Sequence, residues 1–197
     1  MVRLGISVEG PTEERFVKKV LIPHLATNDI HVTPVSIKGD VTVARAKKEL
    51  EKMLYSFDHV TTLYDFYGFR GKNQGETKNS LEQQILNALP ANLRRKFIPY
   101  IQMYEFEGLL FSDPEIIEQS LEGKDLFKWA SSILREFNNN PEAVNNSEQT
   151  APSKRFEKDT NYMKTTHGPN IAADIGLDKI RTMCQGFDQW LTRLESL

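Results

Sequence analysis

Residues 4–16 read LGISVEGPTEERF, and the change of pattern within this stretch decides the fold. Residues 3–8 form a compact apolar run that stops at Gly10 and Pro11, as a buried strand stops at its turn. From Thr12 onward the apolar residues recur at helical spacing instead, which predicts a helix with Thr12 as its N-cap. A strand that leads directly into a helix indicates an alternating α/β fold.

The same alternation continues through the first half of the chain. Pro23 predicts a kink or stop in the first helix, and the third strand is predicted to end at Asp65. Further strands are predicted at residues 31–37, 60–65 and 97–104, and further helices at residues 43–57 and 81–89. Because parallel strands need crossover connections, we expect a Rossmann-like α/β fold with helices on both faces of a parallel sheet.

The second half is predicted to be mostly helical. Helical periodicity resumes beyond Asp113, and the polar residues 138–153 interrupt it as a predicted long loop. We expect a single domain in which residues 1–113 form the α/β core and residues 114–197 form a helical C-terminal extension.

Composition and charge limit the classes of protein to consider. With 197 residues, 39% hydrophobic residues and a mean hydropathy of -0.48, the chain is typical of a water-soluble globular protein. A net charge of -2 gives no bulk attraction to nucleic acid, so any such contact is expected to be local or shared with a partner. Cys184 is the only cysteine, which excludes an intramolecular disulfide and a cysteine zinc cluster. No apolar segment has signal-peptide or membrane-spanning length, so we expect a cytoplasmic protein without a membrane partner.

Two acidic residues stand where predicted strands end. Glu9 follows the first strand and Asp65 ends the third, and parallel pairing would bring both to one edge of the sheet. Ligands of such sheets bind beyond the carboxyl ends of the strands, and carboxylate oxygens suit Mg²⁺. An isolated acidic residue at a strand end more often faces solvent or caps a loop. Two of them, with a glycine-rich loop at residues 68–75, favour a site.

Other acidic residues could join this site. Glu13 lies one helical turn from Glu9, although the helix dipole alone explains a carboxylate there. Glu105 and Glu107 alternate, so only one of them faces the site if the strand continues, and we favour Glu105. Asp113 follows the same segment.

Basic residues near these positions could hold phosphate, although solvated surface charge is the commoner role for each. The candidates are Arg70, Lys72, Lys154, Arg155, Lys164 and His167. No G-x-x-x-x-G-K-[ST] loop and no G-x-G-x-x-G fingerprint occurs, which argues against an NTPase and a dinucleotide enzyme. The histidines are scattered without zinc-ligand spacing, which argues against a zinc protease.

Several motifs carry a resemblance to known families. ISVEGPTEERFV resembles the first motif of TOPRIM domains, which occur in topoisomerases, bacterial primases and OLD-family nucleases, and Glu9 matches the catalytic Glu of their V-E-G turn. VEGPTEERF, TTLYDFYGF, FIPYIQMYEFEGLLFSDP, APSKR and IGLDKIR together resemble a bacterial TOPRIM-like family labelled domain of unknown function 4276. The resemblance spans nearly the whole chain and implies a TOPRIM-like sheet.

The resemblance also implies a function and shows one departure. Members are implied to be antiviral defence effectors, often encoded beside AAA-type ATPases. TOPRIM enzymes usually carry a D-x-D pair, whereas Asp65 is followed by Phe66 and Tyr67. Either a further ligand comes from elsewhere, for which Glu105, Glu107 and Asp113 are the candidates, or the site is weakened.

We therefore expect a hydrolase, a Mg²⁺- or Mn²⁺-dependent nuclease that binds DNA or RNA. Glu9, Asp65 and Glu105 are its expected metal-binding residues, and Glu13 is a further catalytic candidate. Expected phosphate contacts are Arg70, Lys72, Lys154 and Arg155. Two alternatives remain open: a non-catalytic TOPRIM-like binding or sensor subunit of an ATPase complex, and nucleotidyl or phosphoryl transfer on a small nucleotide. Assembly into a homo-oligomer is also left open.

Overall fold

A parallel β-sheet forms the centre of the protein, and the computed structural model describes it within residues 1–145 and 147–197. Its strands are β1 (Val2–Val8), β2 (Ile30–Ser36), β3 (His59–Asp65), β4 (Phe97–Ile98) and β5 (Ile101–Gln102). The order is β2-β1-β3-β4, and β5 continues along β3 beyond β4. Every recorded strand pair is parallel. This confirms the predicted α/β fold.

Helices connect the strands and fill the second half of the chain, as predicted. They are α1 (Pro11–Phe16), α2 (Ile22–Ala26), α3 (Val43–Ser56), α4 (Lys78–Ala88), α5 (Pro114–Ser120), α6 (Leu126–Glu136), α7 (Pro152–Asp159), α8 (Lys164–Ile175), α9 (Leu177–Met183) and α10 (Gln185–Glu195). None of the helices in the described part of the chain has the length and apolar character needed to cross a membrane.

Two hydrophobic clusters cover the two faces of the sheet. One cluster joins side chains of α3 and α4, such as Leu50 and Ile85, to Val60 of β3. The other joins side chains of β1 to α1 and to the C-terminal helices, for example Ile6 and Phe187. The C-terminal helices thus share their hydrophobic core with the central strand, which fixes their position relative to the carboxyl edge of the sheet.

The first helix begins two residues earlier than predicted. Gly10 is the N-cap and Pro11 the first helical residue, whereas Thr12 is buried inside the helix, so the prediction of a Thr12 cap is wrong. The Glu13 side chain takes over the capping role, because its Oε2 accepts the Gly10 N–H at 3.0 Å. Pro at the first helical position loses no hydrogen bond, which explains the early start.

Pro23 does not stop the helical path, which continues to Ala26. A π-helical turn, Val17–Leu21, lies directly before it, and the Ile22 N–H donates to the Val17 carbonyl. Proline lacks an N–H and its ring clashes with the preceding turn of an α-helix, so the wider π turn accommodates it.

The predicted strand at residues 97–104 is broken into two short pieces. Pro99 has no N–H to donate, and the Tyr100 N–H donates to Thr62 Oγ1 at 3.1 Å instead of to a neighbouring strand. Tyr104 then adopts a positive φ of 60°, and a 3-10 helix, Phe106–Ser112, follows. The strand therefore does not continue through the EFE segment, which was the condition under which only one of its glutamates could face the site.

The predicted loop at residues 138–153 includes Asn146, which lies outside the described residues. On either side of it the chain forms short 3-10 turns, Pro141–Ala143 and Glu148–Thr150, and α7 begins at Pro152.

Candidate active site

The parallel pairing of β1 with β3 brings Glu9 and Asp65 to the same edge of the sheet. Val8, the last residue of β1, pairs with Leu63, so Glu9 follows one strand as Asp65 completes the other. The Glu9 carboxylate raises the pKa of Asp65 through charge repulsion, whereas a backbone hydrogen bond from Asp65 lowers the pKa of Glu9. The two residues that sequence placed at the centre of the site therefore lie together.

The Glu9 carboxylate lies against the backbone of Gly68. A Cβ at Gly68 would stand 2.0 Å from Glu9 Oε2, so only glycine leaves room for the carboxylate in this position. Oε2 is buried and has no hydrogen-bond partner among the described residues. Burial, and then repulsion from Glu13, raise the pKa of Glu9, and the Lys164 ammonium only partly opposes this rise.

Asp65 is almost completely buried, with 4% of its surface exposed. Its Oδ1 accepts the Phe106 N–H at 2.8 Å, and its Oδ2 lies 4.0 Å from the Lys164 ammonium. Burial raises the pKa of Asp65 well above its usual range. Lys164 opposes this rise, and the carboxylates of Glu13 and Glu9 add to it.

Glu107 is the most enclosed carboxylate of the group, with no exposed surface. Its Oε1 accepts the Tyr162 hydroxyl at 3.1 Å, and its Oε2 lies 3.5 Å from the Lys164 ammonium. Oε2 has no hydrogen-bond partner in the described part of the chain. Burial raises the pKa of Glu107 to about 7, against the opposing effect of Lys164.

Glu105 and Glu13 complete the cluster, each with one oxygen engaged by a backbone N–H. Glu105 Oε2 accepts the Ser153 N–H at 2.8 Å at the start of α7, and Glu13 caps α1 through Gly10. Because the EFE segment is not a strand, Glu105 does not exclude Glu107, and repulsion from Glu105 raises the Glu107 pKa. Only one of the two glutamates could face the site if residues 105–107 formed a pleated strand, and they do not form one.

Lys164, the first residue of α8, supplies the cation at the centre of this cluster. Burial lowers its pKa, but the carboxylates of Glu107 and Asp65 more than offset that effect and raise the pKa overall. We define the acidic site as these six residues: Glu9, Glu13, Asp65, Glu105, Glu107 and Lys164. Its carboxylates outnumber its single ammonium, and it opens into a cleft of about 520 Å³ that Glu9, Glu13 and Lys164 line.

Sequence reasoning underestimated Lys164 and Glu107. Lys164 stood only among candidate phosphate contacts, and Glu107 was set aside in favour of Glu105. The EFE spacing was the available signal for Glu107, but it needed the 3-10 helix to be interpreted correctly. Nothing in the sequence around Tyr162 indicates that its hydroxyl supports Glu107.

Asp113 and Lys72 have structural partners outside the acidic site. Asp113 Oδ1 accepts the N–H of Glu115 at 3.0 Å and caps α5. The Lys72 ammonium donates to the carbonyls of Phe66 and Phe69, at 3.0 and 2.6 Å, and so holds the turn after β3.

The other predicted phosphate contacts are differently placed. Arg70 forms an exposed ion pair with Asp40 at 3.2 Å. Arg155 donates to the Thr150 carbonyl at 2.8 Å and lies over the Phe137 ring. In addition, Lys154 pairs with Glu157 at 2.7 Å, and His167 Nδ1 accepts the Met163 N–H at 3.1 Å. Lys154 and Arg70 keep exposed donors, whereas Arg155 supports the local backbone.

The donors of the acidic site are oxygens, which suit hard divalent cations such as Mg²⁺ or Mn²⁺. Within residues 1–145 and 147–197, however, no group of three or more His, Cys, Asp or Glu side chains is arranged to hold one ion. Mg²⁺ commonly keeps several waters and takes only one or two carboxylates, so a smaller ligand set still fits its chemistry. Glu9 Oε2 and Glu107 Oε2, which are buried without hydrogen-bond partners among the described residues, also suit a cation.

Comparisons with known proteins agree with this architecture. A family model described as "Domain of unknown function (DUF4276)" matches residues 8–195. The C-terminal region of the Burkholderia pseudomallei OLD protein has a similar fold, with a TM-score of 0.51 and 16% sequence identity over 100% of this chain and 98% of that one. A comparison with curated proteins finds no match. The similarity to the OLD region supports the fold.

Proposed function

This chain belongs to the family described as a domain of unknown function (DUF4276), and we propose that it is a divalent-metal-dependent nuclease. One observation carries the proposal: the acidic site buries more carboxylate charge than its single ammonium can neutralise. Glu9 Oε2 and Glu107 Oε2 lack hydrogen-bond partners among the described residues, although both are buried.

Burying an ionised side chain away from water is unfavourable in free energy. An ionised carboxylate taken out of water must be paired or must coordinate a metal, or else it takes up a proton. Burial raises the pKa values of Glu9, Asp65 and Glu107, and that of Glu107 reaches about 7, so protonation of Glu107 competes with its ionisation near neutral pH. A bound divalent cation would stabilise the ionised carboxylates. The site therefore favours binding a divalent cation.

Glu9 and Asp65 would hold the ion as a two-carboxylate set completed by waters, because the described residues place no third carboxylate around the same ion; Glu105 and Glu107 would lie beside it. When bound, such an ion activates water and stabilises charge on a scissile phosphate. The Phe106 N–H fixes the orientation of the Asp65 carboxylate, and Gly68 leaves room for that of Glu9.

Lys164 supplies the positive charge that a phosphate needs. Its ammonium lines the cleft and already lies between the carboxylates of Asp65 and Glu107. A donor with a raised pKa stays protonated throughout the physiological range and can donate to a phosphate oxygen. Glu13 keeps α1 in place at the edge of the cleft through its bond to Gly10.

The resemblance to TOPRIM domains and the fold similarity to the OLD region support the same proposal. From the resemblance we also propose a role in antiviral defence with an AAA-type ATPase partner. The excess of buried carboxylate charge supports metal binding whatever the substrate or the partner is.

The test is cleavage of supercoiled plasmid, linear duplex, single-stranded DNA and RNA with Mg²⁺ or Mn²⁺, with and without an ATPase partner. Glu9→Gln and Asp65→Asn keep the side-chain shape and remove the charge, and we expect each to lower the cleavage rate at least a hundredfold. Asp40→Asn is the matched control, because it removes an exposed acid whose ion pair is with Arg70. Equal cleavage by all variants, or no cleavage of any substrate, would overturn the proposal.

A second candidate function, a non-catalytic binding subunit, is favoured by one contact. The Lys164 ammonium lies near Asp65 and Glu107 as an internal counter-ion, which a site without a metal would require. If this candidate is correct, Mn²⁺ leaves the melting temperature unchanged. If the nuclease proposal is correct, Mn²⁺ raises it, because a ligand that binds only the folded state stabilises that state.

A further inference from the structure

A basic groove lies beside the acidic site, between α1 with its π turn and the N-terminal part of α8. Its volume is about 320 Å³. Its lining consists of Arg15, Lys18, Lys19, Thr165, Thr166 and Asn170, together with a proline. Among the described residues no acidic side chain contributes to the lining, although the chain as a whole carries a net charge of -2. Positive charge is therefore concentrated locally on a protein with no bulk attraction for anions.

Contacts across the groove hold its cations in place. Arg15 donates to the Thr165 carbonyl at 2.7 Å, and Lys19 donates to Asn170 Oδ1 at 2.7 Å. Each contact uses one donor of a side chain that has several, and both side chains remain exposed. The remaining N–H groups of Arg15 and Lys19 are available to an anion.

The groove continues into the cleft of the acidic site. Thr165 lines both, and Glu14, which lines the cleft, pairs with Lys18 of the groove. Glu13 and Lys19 stand on one continuous helical path, so they are separated by about 9 Å along its axis. That length corresponds to roughly two or three phosphates of one strand, at the 3.4 Å rise per strand of B-form DNA.

We propose that this groove binds the phosphate backbone of a nucleic-acid strand and leads the strand into the acidic site. The inference rests on the proposed function and identifies the side from which the substrate approaches. A carboxylate-rich site repels a polyanion, so neighbouring cations must hold the flanking phosphates. This groove offers Arg15 and Lys19, whose contacts across the groove are with a carbonyl and an amide oxygen, and Lys18, which also pairs with Glu14. An acidic protein segment would fit this arrangement less well, because it carries no phosphate for the adjoining acidic site.

The test measures binding separately from cleavage. Fluorescence anisotropy of labelled single-stranded and duplex oligonucleotides is recorded with Mg²⁺ in the Glu9→Gln background, which prevents turnover. Arg15→Gln with Lys19→Gln should weaken binding about ten- to fiftyfold at 0.1 M salt, and should reduce the slope of log K against log salt by about 1.4 to 1.8. The matched control, Lys47→Gln with Lys52→Gln on α3, removes the same charge from exposed ion pairs and should change binding less than threefold.

A second variant protects the test against misfolding. Lys18→Gln with Lys19→Gln keeps the Arg15–Thr165 contact between α1 and α8, and should show the same loss. Binding of either groove variant within threefold of the control overturns the inference, as does absence of binding by the parent protein. Cleavage that depends on Glu9 together with groove-independent binding refutes the groove alone. Groove-dependent binding by a protein that cleaves nothing refutes the nuclease proposal alone.

Discussion

At the scale of single residues, the absence of one Cβ determines where the Glu9 carboxylate lies. Gly68 is not in a left-handed conformation, so its role is to leave space and not to relieve backbone strain. The neighbouring Gly71 is the opposite case, with a φ of +73° and nothing near its missing Cβ. Substitution of Gly68 should therefore affect the site, whereas substitution of Gly71 should affect stability.

We expect Gly68→Ala to lower activity at least tenfold with little loss of stability. The new Cβ displaces the Glu9 carboxylate, which is the flexible end of a side chain and can move at small cost. Gly71→Ala should lower the free energy of unfolding by about 1 kcal/mol and leave activity unchanged, because alanine is strained at positive φ. Cleavage assays and urea denaturation distinguish the two. The reverse pattern would show that Glu9 does not depend on Gly68.

Glu107 should give the protein a pH-dependent stability when no divalent cation is present. Its pKa is raised from 4.5 to about 7 in the folded protein, so between these values the folded state binds a proton that the unfolded state has released. Its contribution to stability is therefore present at low pH and lost as pH rises through about 7, by at most about 3 kcal/mol.

Urea denaturation of wild type and Glu107→Gln across pH 4.5 to 8 checks this sign. The difference between the two free energies of unfolding should change steadily to the disadvantage of wild type as pH rises. Mg²⁺ should reduce the change, because a bound cation favours the ionised carboxylate. Parallel curves for the two proteins would contradict the raised pKa.

The sequence predicts the site residues that lie at strand ends and does not predict the others. Glu9 and Asp65 follow from the chain pattern, because parallel pairing sets which edge they share. Glu107 and Lys164 reach the site through a 3-10 turn and through the packing of α8, both of which depend on tertiary contacts. Periodicity of the sequence carries no information about such contacts.

At the scale of elements, the carboxyl ends of β1 and β3 provide the site, and short irregular segments complete it. The break of the fourth strand at Pro99 and the positive φ of Tyr104 turn the chain so that both EFE glutamates reach the cluster. The sequence predicts the first three strands and α3 to within one residue, whereas α4 begins three residues earlier than predicted and these interruptions are not predicted. A proline and a residue with positive φ change the direction of the backbone only locally. Where the chain then leads depends on the surrounding packing.

Asp113 belongs to this scale, because its contacts are those of a helix cap. Asp113→Ala should lower the free energy of unfolding by about 1 kcal/mol through loss of the bonds to the first turn of α5. Divalent-metal affinity and cleavage should remain at wild-type levels. Thermal denaturation and cleavage rates measure both quantities, and a loss of metal affinity would instead place Asp113 in the site.

At the scale of the whole molecule, the C-terminal helices and the sheet share one hydrophobic cluster, and charge is separated between an acidic site and a basic groove. Trp190 of α10 illustrates the shared core. It stacks on Tyr100 with ring centroids 4.4 Å apart, and its indole N–H donates to Thr61 Oγ1 at 2.9 Å.

We therefore propose a single cooperative domain for residues 1–197. Trp190→Phe should lower the free energy of unfolding by about 1–3 kcal/mol, through loss of a buried hydrogen bond and of aromatic contact. Far-UV circular dichroism and the fluorescence of Trp129 should report the same shifted denaturation midpoint. Separate transitions would indicate that residues 114–197 unfold independently of the sheet.

The most direct measurement of the central claim is calorimetric titration of Mn²⁺ into wild type, Glu9→Gln, Asp65→Asn and the control Asp40→Asn. Wild type and Asp40→Asn should bind at least one ion with equal affinity, and Glu9→Gln and Asp65→Asn should bind it at least tenfold more weakly. No binding by wild type, or equal binding by all four proteins, would contradict a metal centre formed by the buried carboxylates.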